Sequence, residues 1–253
     1  MREVLPAVRT QFVLISGSED ITIPNQIDRR WPAFDDTQQG VIEQIRSDER
    51  LIAWYAENLD ELRPKMKPLP TGYVFAGSGA PIDFVEVAKT SLSNRPMKAF
   101  CAHRIRTGAQ WAPREQVSKL CQCDWKSFTT LLQKEVPVEG FMAYVRAHPF
   151  VLCVEGGGLD PSPKAWLTLA LGSIPVMRRS ATTAAYESVL PVVLVDNWEA
   201  KALSISLMWE WRNQLSPWFD RGELREHLEY KLSIDYWWGR IQSALSGADN
   251  ALF

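Results

Sequence analysis

Short runs of consecutive apolar residues alternate along this chain with longer stretches whose apolar positions recur every three or four residues. Residues 11–16 (QFVLIS) form one such run, ending in Ser-Gly-Ser, and predict a buried strand that leads into a loop. The spacing over 41–50 predicts a helix, and 51–55 a second buried strand. Prolines punctuate 64–70, which leads into a short Thr-Gly-Tyr element at 71–73. Residues 77–95 carry Gly-Ser-Gly, an amphipathic turn or two, and then Ser-Asn-Arg-Pro. A strand is predicted at 97–103, and helices at 114–120, at 125–134 with Asp124 as cap, and at 138–147. The run 149–154 (PFVLCV) is apolar throughout and passes straight into Glu155-Gly156-Gly157-Gly158-Leu159-Asp160. Ser162 as N-cap and Pro163 at the first helical position then open a helix that runs to Leu171 and closes at Gly172. Strands are predicted at 174–177 and 192–195, and residues 201–245 read as mainly helical, interrupted at Pro217.

Strands and helices that alternate, with strands apolar on both sides, predict an α/β fold whose parallel sheets are covered on both faces. The 253 residues hold one large or two small domains, since domains commonly run roughly 100–200 residues. A boundary within 90–97 divides a first domain, 1–93, from a second, 94–215, followed by terminal helices over 216–253. No internal repeat or low-complexity tract interrupts this order.

Composition narrows the function classes. Twenty-eight Lys and Arg against 30 Asp and Glu leave no basic footprint, so a general nucleic-acid binder is not expected. No apolar run approaches the roughly 18 residues of a membrane span, and the first residues lack a signal-peptide pattern, which leads to the expectation of a cytoplasmic protein. Four cysteines (Cys101, Cys121, Cys123, Cys153) fit neither a paired zinc motif nor a small disulfide scaffold and are expected to be reduced. The unusual count is tryptophan, 11 in all. Trp209, Trp211, Trp218, Trp237 and Trp238, with Tyr236, stud the helical tail at spacings that suit core and inter-domain packing, with stacking on sugar rings as the functional alternative.

The chemistry concentrates where strand, glycine-rich loop and helix follow one another. Open α/β sheets bind ligands outside the carboxyl ends of their strands. A helix N-terminus welcomes an anion, and consecutive glycines let a ligand approach the backbone. The loop matches neither the dinucleotide fingerprint nor the P-loop spacing. Three glycines flanked by Glu155 and Asp160 nevertheless exceed what a short turn requires.

The run FVLCVEGGGLDPSPKAWLTLALGSIPVM, followed by YESVLPVVLVDNW, resembles the donor-binding half of exostosin-like glycosyltransferases and related GT-B enzymes, some encoded by large DNA viruses. The positions that carry the resemblance are Gly158, Asp160, Lys164, Trp166, Gly172, Ile174-Pro175-Val176, Leu190-Pro191-Val192 and Trp198. A looser likeness extends to FVLISGSEDITIP and to IAWYAENLDELRPKMKPLPTGY. The resemblance implies two Rossmann-like domains facing across a cleft, with C-terminal helices crossing back to the first domain. It implies transfer of a sugar from a UDP- or GDP-sugar to a glycan acceptor, inverting and without a metal or other cofactor. One position departs from the family: Leu167 stands where the family carries a Glu that holds donor hydroxyls, so Glu155 or Asp160 would take that role.

A leaving diphosphate needs cations or N–H donors where charge develops. Arg104, Arg106 and Arg114 follow the first strand of the second domain, and Lys164 stands in the first turn of the loop's helix, where the dipole disfavours a cation unless an anion is present. With Glu155, Gly156, Gly157, Gly158 and Asp160 they form the expected donor site. The base that deprotonates the acceptor is expected at Asp20 or Glu19, with Glu57 in reserve and His103 as a weaker candidate. Two other classes compete with this reading: a non-catalytic glycan- or nucleotide-binding transferase remnant, and a Rossmann-like methyltransferase, which would place its glycine loop after the first strand.

Overall fold

The computed structural model describes residues 4–17, 20–73, 91–161, 163–187, 189–220 and 222–247. It is a mixed α/β molecule built on two separate parallel sheets, one of three strands and one of five, consistent with a Rossmann-like α/β fold.

The smaller sheet runs β1 (Phe12–Ser16), β2 (Leu51–Ala56), β3 (Met66–Pro68), side by side in that order. Helix α1 (Asp36–Ser47) links the first two. It begins five residues earlier than the apolar spacing predicts, because Asp35 and Gln38 form a capping box: Gln38 N–H donates to Asp35 Oδ1 at 2.8 Å and Asp35 N–H to Gln38 Oε1 at 2.9 Å. Ile42 and Ile45 pack with Leu51, Trp54 and Leu59 into the core of this sheet.

The larger sheet has the order β5-β4-β6-β7-β8, where β4 is Ala99–Cys101, β5 Thr129–Leu131, β6 Phe150–Leu152, β7 Ile174–Arg178 and β8 Val193–Val195. The connections carry α2 (Ala112–Gln122), α3 (Val138–Ala147), α4 (Lys164–Ala170) and α5 (Ala184–Glu187). Phe100, Phe150, Val151 and Leu152 are fully buried, as strands covered on both faces must be. The chain leaves β4 to one side for β5 and crosses back to the other side for β6. That reversal of strand order falls between β4 and β6, and in such sheets ligands are usually bound outside the carboxyl ends at this point.

Four helices finish the chain: α6 (Ile205–Leu215), α7 (Pro217–Asp220), α8 (Gly222–Leu232) and α9 (Ile234–Leu245). Pro217 opens a new helix, as expected. Helix α8 packs against α4 of the larger sheet, whereas α9 packs against β1 and β2 of the smaller one. There Ile241 and Ala244 close a small core with Ala53 and Tyr55.

The helix expected over 125–134, with Asp124 as cap, is absent. Helix α2 ends at Gln122, where Cys123 takes non-helical angles (φ −114°, ψ −95°), and the Trp125 N–H turns back to Leu120 O at 2.8 Å. Adjacent β-branched threonines then favour a strand, and Thr129–Leu131 pairs with β4 as β5. The strand expected at 97–103 shortens to three residues, and 71–73 forms no regular element. The cap at Ser162 and the turns expected within 77–90 lie outside the described residues; Pro163 stands at the N-cap and α4 starts at Lys164. Among the described residues no helix is long and apolar enough to cross a membrane, and the four cysteines are free.

Candidate functional site

The loop 155–160 is where the two sheets meet, and their carboxyl ends feed it from both sides. From beyond β2, Asn58 Oδ1 accepts the N–H groups of Leu159 (2.7 Å) and Asp160 (3.0 Å). From beyond β3, the Thr71 N–H donates to Asp160 Oδ2 at 2.8 Å, while the Tyr186 hydroxyl donates to Asp160 Oδ1 at 2.7 Å. From beyond β1, Asp28 Oδ2 accepts the Gly158 N–H at 3.1 Å, and Thr182, after β7, donates to Leu59 O at 2.8 Å. The glycines are required for close approach. Gly158 has φ +65°, and a Cβ on Gly157 would lie 2.6 Å from Arg30 Nη1, Arg30 Nη2 and Asp20 Oδ2. Asn58 is itself left-handed, at φ 52°.

Asp28 is the hub of this contact. Its buried carboxylate binds Arg30 through the backbone N–H (2.9 Å), Nε (3.0 Å) and Nη2 (2.6 Å). Burial pushes the Asp28 carboxyl up, but the Arg30 and Gly158 hydrogen bonds and the Arg30 charge more than offset this, so its pKa lies below the ordinary value. Arg30 Nη2 also pairs with Asp20 at 2.8 Å, which sets the expected base directly over Gly157. Glu19 lies outside the described residues.

Trp111 forms the floor on the β4 side. It is buried at the end of a single helical turn, Ala109–Trp111, and three guanidinium groups lie over its ring: Arg30 at 5.7 Å, Arg106 at 5.3 Å and Arg114 at 5.0 Å from the centroid. Such placement is favourable for each cation singly but brings like charges together. Burial lowers the Arg114 pKa, and the neighbouring Arg106 and Arg30 charges lower it further against the pull of Glu155. Arg114 donates to two carbonyls, Glu155 O (3.1 Å) and Arg104 O (2.9 Å). Beside it, Gln110 Nε2 donates to Gly156 O at 2.9 Å.

Other expected residues take different positions. Arg104 turns outward to Glu135, with Nη2 2.9 Å from Oε2, and leaves the loop. Lys164 Nζ donates to Ala102 O at the end of β4; burial and the nearby Arg114 charge lower its pKa, against the pull of Cys153 and Cys101. Its ammonium is thus spent on the end of β4 rather than turned toward the loop. His103 Nε2 lies 2.9 Å from both Arg114 O and Ser118 Oγ. Burial first, then the Lys164 and Arg114 charges, press its pKa to about 3, so it is neutral and makes a poor base near neutrality. Glu155 is buried between Arg178, its ion-pair partner, and the Trp198 indole, whose Nε1 donates to Oε2 at 3.1 Å. It edges a shallow recess with Arg178, Ser180 and Thr183. Asp160 acts as a staple between the sheets.

Sequence reasoning names Asp20, Arg106, Arg114, Glu155 and the glycines, and the fold brings these together. It misses Asp28, Arg30 and Asn58, which lie in irregular segments, and Gln110 and Trp111, which lie in the single helical turn before α2. The Asp-x-Arg spacing of Asp28 and Arg30 is the one local signal that could have marked them. Among the described residues, no group of three or more His, Cys, Asp or Glu gathers to hold a metal ion. Compared by sequence with known proteins, the chain matches no family model and no curated protein.

Proposed function

We propose that this protein is a glycosyltransferase of GT-B type that moves a sugar from a UDP- or GDP-sugar to a glycan acceptor, inverting and without a metal. One observation carries the reading: the carboxyl ends of two parallel sheets converge on one glycine loop. The return of α9 to the smaller sheet supports it as well, because a GT-B enzyme ties its two Rossmann-like domains, here 1–93 and 94–215 with 216–253 crossing back, in this way.

In this reading Arg106 and Arg114 offset the charge that develops on the leaving diphosphate. The acceptor hydroxyl attacks the anomeric carbon as the bond from that carbon to the diphosphate oxygen breaks. The hydroxyl proton passes to the Asp20 carboxylate, and the nucleoside diphosphate leaves with the bonding electrons. Glu155, at the edge of the recess, holds the donor hydroxyls in place of the carboxylate that Leu167 lacks.

A second reading, a binding protein that no longer transfers sugar, is favoured by a specific observation. The N–H groups of Gly158, Leu159 and Asp160 and the ammonium of Lys164 are already bonded within the chain. A thermal-shift screen with UDP-, GDP- and dTDP-sugars against S-adenosylmethionine, followed by assay of released nucleoside diphosphate with a mixed glycan library, decides between them. Stabilisation by a nucleotide sugar together with release supports the transferase. Stabilisation without release for any acceptor supports the binding protein, and stabilisation by the methyl donor alone overturns both.

A further inference from the structure

Edge strands present a row of unpaired N–H and C=O groups, and proteins blunt them with short length, charge or proline. Among the described residues, three edges of the two sheets follow that rule: β3 is Met-Lys-Pro, and β5 and β8 have three residues each. The fourth, β1, does not. It is five residues long, and its sequence Phe-Val-Leu-Ile-Ser holds neither charge nor proline. In doubly wound sheets the first strand lies inside, with a neighbour on either side. Here, among the described residues, the smaller sheet stops at β1. The ladder defines the open row. The Phe12 N–H donates to Arg50 O, and the Ser16 carbonyl accepts the Glu57 N–H, so residues 12, 14 and 16 turn their backbone groups to β2. Alternation turns those of Val13 and Ile15 to the open side. The Val13 side chain packs with Ile241 and Ala244 of α9, and Ile15, on the same face of the sheet, is half exposed.

We propose that β1 pairs antiparallel with β1 of a second copy of this chain, joining two smaller sheets across a two-fold axis. The strand is self-complementary about Leu14. Val13 of each copy meets Ile15 of the other, and each such pair exchanges both backbone hydrogen bonds. The same register sets Gln11 opposite Gly17, against which the Glu57 carboxylate lies: a Cβ on Gly17 would be 2.6 Å from its carboxyl carbon. The exposed Arg9 of one copy thus approaches Glu57 of the other, and the axis forms this complementary pair twice. It also keeps like faces together. Both α9 helices then lie on one face of the joined sheet, where Ile15, Trp238 and Leu245, each about half exposed, gain apolar neighbours. This interface goes beyond the transferase reading and does not depend on it.

The test is sedimentation of the whole chain over a range of concentrations, with hydrogen exchange on the same samples. A dimer is expected, with the Val13 and Ile15 amides protected in it. Ile15→Lys puts a charge on an exposed position of the edge and is expected to raise the dimer dissociation constant about tenfold or more. Arg9→Glu is expected to raise it less, with an effect that shrinks in high salt. Across the axis Leu14 meets its own copy as a non-hydrogen-bonded pair, with Cα atoms roughly 4.5 Å apart. Leu14→Cys should therefore link the two copies by a disulfide under diamide, read with Cys123→Ser to remove the exposed native thiol. A wild-type chain that stays monomeric up to its solubility limit overturns the proposal. A dimer whose Val13 and Ile15 amides exchange freely also overturns it, and that measurement needs no variant to fold. A dimer that folded Ile15→Lys leaves at full strength overturns it as well.

Discussion

At the scale of single residues, the glycines of the loop and one histidine set the sharpest expectations. Gly158 combines a positive φ with contact to the Asn58 amide, so Gly158→Ala should lower stability by about 1–3 kcal/mol, read from the urea midpoint. His103 gives a pH dependence whose sign follows from its depressed pKa. In the unfolded chain it takes up a proton below its ordinary 6.5, while in the folded protein it stays neutral down to about 3. Stability should therefore be complete above pH 6.5 and fall with acidity across that window, by up to about 1.4 kcal/mol per pH unit from this group. His103→Gln should flatten that part of the curve in urea unfolding between pH 7 and pH 5. Were the slope unchanged, the proton would enter elsewhere. The glycines and Glu155 were legible because a loop between a strand and a helix announces itself locally. Asp28, Arg30 and Trp111 were not, because their role arises only when the two sheets meet.

At the scale of elements, apolar runs located strands where those runs were short and unbroken, as in β1, β2, β6 and β7. They misled at 125–134, where Trp125, Phe128 and Leu131 recur at helical spacing for another reason. Trp125 is buried with its Nε1 on Ala200 O at 2.9 Å, and Leu131 lies in a parallel edge strand. A period shared by two structures cannot decide between them; the paired threonines were the better guide. Helix α9 gives the test at this scale. Ile241 is buried against Ala53 and Tyr55, so Ile241→Ala should cost about 2–5 kcal/mol. The loss should appear in hydrogen exchange as weakened protection of β1 and β2, with β6 and β7 less affected. Equal loss in both sheets would mean that α9 supports the whole molecule and not the smaller sheet.

At the scale of the whole molecule, most of the tryptophans prove to be packing. Trp54, Trp111, Trp125, Trp166, Trp198 and Trp237 are buried, and Trp166, in contact with Trp237 at 6.1 Å between centroids, joins α4 to α9. Trp31, Trp209 and Trp238 remain about half exposed. The two sheets are further held by Asn58, whose oxygen takes two loop amides. Asn58→Gly keeps the left-handed backbone and removes that oxygen, so it should cost about 1–3 kcal/mol and speed exchange of the Leu159 and Asp160 amides. If those amides exchange as in the wild type, the link between the sheets lies elsewhere.

The Asp28–Gly158 contact spans 130 residues of chain, and Asn58–Leu159 spans 101. Loops of that length close slowly, because their entropy must be lost before the contact rewards it. The strands on either side are stitched mainly by nearer neighbours, so each sheet can assemble before the seam between them forms. The seam is then the last part acquired during folding and the first surrendered under mild denaturant, while the circular dichroism of both sheets is still intact.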